Sequence, residues 1–224
     1  MQVTLTQIPM QEILHFLGWH GTPVEPPLME RIGQIRRETL DQIKPRAVMR
    51  RFACLPDGTL GGTNFLPQGG DVRAMLAPCH KAVLLAATLG ADSERLILKE
   101  QAKDSADALI FDAALSAAIE AVCDQMEETL RGELAAQGLY LTDRFSPGYG
   151  DMPLAQSGQI CEVLNAARTI GLTVSRSGIL IPRKSVTAIM GVSRTAVSHR
   201  PKGCSGCSAR KTCAFARHDS ITEE

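Results

Sequence analysis

The stretch Lys81-Ala82-Val83-Leu84-Leu85-Ala86-Ala87-Thr88-Leu89-Gly90 decides the fold. It is a solid apolar stretch closed by a glycine, and periodicity alone does not separate a buried strand from a buried helix. Its length and flanks favour the strand. C-terminal to it, Asp92 to Gly138 is strongly helical, as two helices meeting near Lys103 to Ala106. In the second, Leu115, Ile119, Val122, Met126, Leu130 and Leu134 form one continuous apolar stripe, and Gly138 stands where a C′ glycine ends a helix. N-terminal to it, Ala47 to Leu55 reads as a strand followed by the turn Pro56-Asp57-Gly58, with a return strand near Thr59 to Leu66.

Further out, Ile13, Leu14 and Leu17 keep helical spacing within Ile8 to Leu17, and Gly18 supplies a stop. A proline-rich joint, Pro23 to Pro27, leads to a second helix over Leu28 to Ile43, ended by Pro45. Leu139 to Pro153 reads as an ordered loop, Leu154 to Ile170 as a helix closed by Gly171. Two strands, Leu172 to Ser177 and Ser185 to Met190, flank the turn-like Ile181-Pro182-Arg183-Lys184. Four or five helices and about six short strands without βαβ alternation make this an α+β fold, with an antiparallel sheet flanked by helices. The expected organisation is a helical segment over 1–45, a main domain over 46–198, and a cysteine-rich basic tail over 199–224.

Composition narrows the function. Of 224 residues, 44% are apolar, enough for a substantial core, so wholesale disorder is not expected. Lys plus Arg and Asp plus Glu each total 24, and a net charge of zero argues against a nucleic-acid binder. The apolar run Ala82 to Leu89 is far below the roughly 20 residues of a membrane helix. MQVTLTQIPM has neither a basic n-region nor a following hydrophobic segment, so a cytoplasmic protein without a secretory signal is expected. Seven cysteines, with three crowded near the C-terminus, then suit thiols or metal ligands better than a disulfide scaffold.

Common catalytic signatures are missing: there is no GxSxG, Walker loop, HExxH or GxGxxG after a strand. The histidines are scattered, and Cys79-His80 reads as structural. The informative segment is the loop Arg144-Phe145-Ser146-Pro147-Gly148-Tyr149-Gly150-Asp151-Met152-Pro153. Two glycines and two prolines fix unusual backbone angles, which lets a ligand approach the main chain. Arg144 offers a planar fork to a carboxylate or phosphate, and Tyr149 between glycines is expected to be presented to solvent. The alternative is a rigid turn with Arg144 in an ordinary surface salt bridge.

This run, followed by a helix and then by Pro182-Arg183-Lys184-Ser185-Val186, resembles the activation domain of cobalamin-dependent methionine synthase, over roughly residues 80 to 192. The resemblance implies that fold, S-adenosylmethionine binding, and a role in reductive methylation of cob(II)alamin. The cobalamin would be presented by a methionine synthase or other corrinoid protein, and the electron would come from a donor such as flavodoxin or ferredoxin. Carried over by position, Arg144 would grip the methionine carboxylate, Ser146 and Gly148 would offer main chain, and Tyr149 would be the loop tyrosine. Glu120, on the long helix, would be the acid that meets the ligand's cationic end. A second acid of the pattern is replaced by Gly138; Asp143 is out of register, and Asp151 stands as a candidate substitute. Asp124, Glu127 and Glu128 read as the solvated face of their helix.

A second constellation is Cys204-x2-Cys207-x5-Cys213, with His199 or Cys161 as a fourth ligand. Thiolates at this spacing, among glycines and basic residues, suit zinc or an iron–sulfur cluster. The alternative is a tail of free thiols.

Overall fold

The computed structural model describes residues 1–19 and 23–198. Its centre is β2, Cys79–Thr88, which contains most of the decisive stretch. On one side β2 pairs antiparallel with β1, Arg46–Ala53; on the other it pairs antiparallel with β6, Ser185–Ser193. A two-residue strand, β3 (Tyr140–Leu141), adds to the far side of β6, so the sheet order is β1-β2-β6-β3. Side chains alternate across a strand. Val83, Leu85 and Ala87 enter one apolar layer, while Ala82, Leu84 and Ala86 enter the other. Both faces of β2 are covered, which is why its sequence reads as a run and not as an alternation.

The first layer is organised by α5, Ser105–Ala135. Asp104 caps its start, accepting from the backbone amides of Ala106 and Asp107. The predicted stripe from Leu115 to Leu134 is buried. Ala113, Ala114, Ala117 and Ala118 are buried beside it, and such small side chains allow close approach to neighbouring elements. Gly138 (φ +69°) closes the helix: its amide donates to Ala135 O, and the Leu139 amide donates to Leu134 O, a Schellman arrangement. α1 (Met10–Phe16), α2 (Pro26–Gln42) and α4 (Ala91–Gln101) pack on α5. The prolines of the expected joint include the first residues of α2, where a missing amide costs no helical bond. Arg31 of α2 and Asp107 of α5 form an ion pair that ties the two helices together.

The second layer holds α3 (Gly70–Leu76), α6 (Gln156–Val163), α7 (Ala166–Ile170) and a hairpin of β4 (Thr173–Val174) and β5 (Leu180–Ile181). Three expectations are corrected here. The helix expected over Leu154 to Ile170 is broken at Asn165, which adopts φ +50° and separates α6 from α7; asparagine tolerates that geometry better than most side chains. The return strand near Thr59 to Leu66 does not form beyond a single Cys54–Leu60 bridge: the Leu60 amide turns to Phe65 O and the Thr63 amide to Leu60 O, so the chain closes into turns instead of extending along β1. The strand expected over Leu172 to Ser177 shortens to the first arm of the hairpin. Leu84 and Leu85 are fully buried on opposite faces, each worth about 2 kcal/mol in transfer terms.

Candidate functional site

Beyond β3 the chain continues along β6 as an irregular edge. The Thr142 amide donates to Gly191 O at 2.9 Å, and Phe145 and Ile189 exchange backbone bonds of 2.9 and 2.8 Å. On an extended edge neighbouring side chains take opposite faces. Phe145 enters the second apolar layer, so Arg144 is delivered to the side of α5.

There it meets three carboxylates. Arg144 Nη2 donates to Asp124 Oδ1 at 2.8 Å and to Glu120 Oε2 at 3.3 Å, and Nε lies 3.2 Å from Glu127 Oε2. Glu127 is also bonded to Arg131, whose Nη2 donates at 2.7 Å and whose Nη1 donates to Leu141 O at 2.8 Å. Residues 120, 124, 127 and 131 fall within about 60° of one another around a helix, so a single face of α5 carries the row. Asp124 and Glu128 are exposed, but Glu127 is buried, which corrects the reading of the acidic run as wholly solvated. The spacing 120/124/127/131 was the available signal for Asp124, Glu127 and Arg131.

One atom of the cluster is left over. Arg144 Nη1 is shielded from solvent and has no hydrogen-bond partner, and an unmade bond on a charged donor is costly. Burial lowers the Arg144 pKa, with Glu120 and Tyr149 opposing. Burial pushes the Glu120 carboxyl up; Arg144 counters this, while Asp124 and Glu12 of α1 add to it. At Glu120, then, the desolvation and acid–acid repulsion outweigh the arginine.

The loop that follows is closed by its own backbone. Gly148 N–H donates to Met152 O at 2.9 Å, Tyr149 N–H to Ser146 O and Met152 N–H to Tyr149 O, both at 3.1 Å. Ser146 is half-buried, Gly148 is exposed with φ +93°, and the Tyr149 side chain is 71% exposed, a ring held out at the rim. At Gly150 (φ +53°) a Cβ would lie 2.6 Å from Asp71 Oδ2. The close approach that this glycine permits is therefore to the chain itself. Asp151 does not face Arg144's cluster: its carboxylate accepts from the amides of Gly70 and Asp71, tying the loop to α3. Those backbone bonds hold its pKa below the usual carboxylate range.

Lys184, from the second part of the motif, reaches across to α5, 2.7 Å from Ser116 Oγ and 2.9 Å from Asp112 Oδ1. It acts as an anchor between the β6 entrance and the long helix. A hollow of about 380 Å³ opens where β3 leaves α5, lined by Arg131, Ala135, Gly138, Leu139, Tyr140 and Leu141. None of the turn residues 146–150 lines it.

Cys204, Cys207, Cys213 and His199 lie outside the described residues. Cys161 sits in the second apolar layer, where burial pushes its thiol up to about 11. Among the described residues there is no group of three or more His, Cys, Asp or Glu side chains placed to hold a metal ion. Nor, among them, is any helix long and apolar enough to cross a membrane.

No protein-family model and no curated protein matches the chain. Among solved structures it is similar to the crystal structure of the MetH reactivation domain bound to AdoHcy, at 15% sequence identity and a TM-score of 0.60. The match covers 88% of this chain and 79% of that one, and the likeness it establishes is one of fold.

Proposed function

We propose that this chain binds S-adenosylmethionine beside the acidic row of α5. In this reading it serves as the reactivation component of a cobalamin-dependent methionine synthase or a related corrinoid methyltransferase. The observation that carries the reading is Arg144 Nη1, a shielded donor without an acceptor, next to carboxylates and a presented tyrosine. Its support in the fold is the likeness to a domain solved with AdoHcy.

The ligand brings a carboxylate, an ammonium and a sulfonium. Nη1 is the guanidinium nitrogen free to receive the carboxylate, which would have to displace the groups that cover it. Glu120, at the border of the stripe and 43% exposed, would accept from the ammonium. The backbone from Ser146 to Gly150 would flank the adenosine, and Tyr149 would face the incoming partner. When bound, the ligand supplies a methyl group to the reduced cobalt of a cobalamin held by the partner protein. The chain's own task is to bind and orient, which is consistent with a site that has no general base or nucleophile. An electron carrier such as flavodoxin or ferredoxin, and a zinc or iron–sulfur site at Cys204, Cys207 and Cys213, belong to the same proposal.

Calorimetry with S-adenosylmethionine, comparing wild type with Arg144→Ala, tests the binding site; equal affinity removes Arg144 from it. Restored activity of a synthase lacking its last domain, on adding this protein, reductant and S-adenosylmethionine, tests the role.

A second reading is favoured by the three carboxylates that neutralise Arg144 before any ligand arrives. In it the chain is a docking module for a corrinoid protein and binds no nucleotide. Association with a purified cobalamin-binding domain, without heat on titrating S-adenosylmethionine, would select this reading.

A further inference from the structure

We propose that the hollow between the start of β1 and the start of α4 is a second binding site, for a phosphate group carried by a small monoester or present as the free ion. It lies at the opposite edge of the sheet from Arg144. S-adenosylmethionine carries no phosphate, so this site stands or falls independently of the functional reading above.

The hollow has a volume of about 380 Å³, at the lower end of the range for small-molecule sites. Gln2, Lys44, Arg46, Asp92 and Arg95 line it, together with the chain at Gly90. The fold brings them together from three stretches of sequence. Gln2 bridges to Arg46, which sets the two side chains beside each other on one face. Ala47 enters the first apolar layer, so Arg46 takes the other face. There its guanidinium lies against bare backbone on two sides: a Cβ at Gly90 or Gly171 would come within 3.4 or 3.3 Å of Nη2. The fold therefore confines this guanidinium without supplying a counter-ion.

Among the described residues, neither the Arg46 nor the Lys44 side chain has a hydrogen-bond or ion-pair partner. The carboxylate that lines the hollow is Asp92, 3.0 Å from Arg95. Glu94, the other acid in the first turn of α4, accepts from the Arg183 amide at 2.7 Å instead. Lys44, Arg46 and Arg95 against Asp92 leave a net charge of +2. A carboxylate or a phosphodiester brings one negative charge, whereas a phosphate monoester brings about two at pH 7, with three acceptor oxygens. The monoester matches both the charge and the donors, which are arginine forks and a lysine point charge. The first-turn amides of α4, without acceptors inside the helix, add neutral donors. One extra unit of ligand charge about 6 Å from two net positive charges corresponds to about tenfold in affinity at low salt, even with the screening of water.

The experiment is a set of titrations of the full chain at about 0.01 M and about 1 M salt, where the Debye length falls from about 30 Å to about 3 Å. The ligands are glycerol 3-phosphate, inorganic phosphate, dimethyl phosphate and acetate, and the readout is the amide resonances of Gly90 and Ala91. The expected result is that glycerol 3-phosphate moves both resonances and binds about tenfold more tightly than dimethyl phosphate or acetate at low salt, with the preference shrinking at high salt. Inorganic phosphate binding as tightly as the ester supports the site with the free ion as its occupant; weaker binding supports an organic phosphate. Arg46→Gln and Lys44→Gln, both at exposed positions, are expected to weaken binding of the phosphates about tenfold. Arg176→Gln makes the same change in net charge at the exposed turn between β4 and β5, outside the hollow, and is expected to leave affinity within about twofold. Equal affinities for all four ligands, no movement at Gly90 and Ala91, or equal weakening by Arg46→Gln and Arg176→Gln overturns the proposal. The ligand series on wild type decides the question even if a variant misfolds.

Discussion

Replacing Glu127 with alanine removes the carboxylate that joins two arginines, and the resulting cost can be worked from the geometry. The side chain is 6% exposed; it sits 2.7 Å from Arg131 Nη2 and 3.2 Å from Arg144 Nε. Charge-assisted bonds of this kind are worth about 1.5–3 kcal/mol each, and stranding a buried partner costs about 3–5 kcal/mol. Both arginines retain some access to water, at 28% and 17%, and Arg131 keeps its bond to Leu141 O, so the figure must be discounted. The expected loss is about 2–3 kcal/mol, or about 5–10 °C in melting temperature for a domain of this size. Urea unfolding followed by circular dichroism measures it, with Glu133→Ala as the control. Glu133 pairs with Arg51 at 2.6 Å, but both side chains are about half exposed, so its loss should cost less than about 1 kcal/mol. Equal losses in the two alanine variants would refute the claim that burial of Glu127 makes this cluster a structural centre.

Gly150→Ala should destabilise by about 1–2 kcal/mol, through a positive φ and a clash with Asp71, whereas Gly158→Ala, on α6 with open space around it, should be neutral or slightly stabilising; thermal melts of both decide. Asp151 has a folded pKa below its unfolded value of about 3.9, so its contribution is fully present above about pH 4 and is lost as pH falls through the depressed value. Asp151→Asn should therefore flatten the acid limb of the stability–pH curve, and an unchanged limb would rule Asp151 out as a contributor. Cys161, with its thiol pushed up to about 11, holds a thiolate fraction of about one in a thousand at pH 8. Peptide mapping after alkylation should find it unlabelled in the native protein and labelled in urea; equal rates in both would contradict its burial.

The architecture was legible where the physics is local to a long element. The stripe on α5, its glycine stop and its separation from α4 follow from a 3.6-residue period sustained over many turns. Other elements carried no such signal. The seven residues of α3 are too few to establish a period, and they start from two glycines at 69 and 70 that read as turn. The return strand was expected because Pro56-Asp57-Gly58 is good hairpin chemistry, yet after the Cys54–Leu60 bridge the backbone bonds turn inward, from Leu60 to Phe65 and from Thr63 to Leu60. Turn chemistry is local and does not decide whether the returning chain extends, so the signal for the turn was not a signal for the strand. The break at Asn165 is of the same kind: helical spacing persists through a residue whose backbone does not.

The candidate site divides along the same line. That Arg144 stands at the mouth of an unusual loop, and that Tyr149 is held out to solvent, could be read from neighbouring residues. That the arginine faces α5 could not, because its direction is set by a bond between Phe145 and Ile189, forty-four positions apart, which fixes the alternation of the edge. Once Phe145 is committed to the second apolar layer, Arg144 has only the α5 side to occupy, and the row at 120, 124, 127 and 131 becomes its environment. The helix that supplies most of the first core layer therefore also sets the charge of the site, and a shift of α5 against the sheet would alter both together. The guanidinium is fixed on two of its three nitrogens, and the third is buried without a hydrogen-bond partner, so the arrangement is rigid where chemistry with a mobile acid or base would need movement.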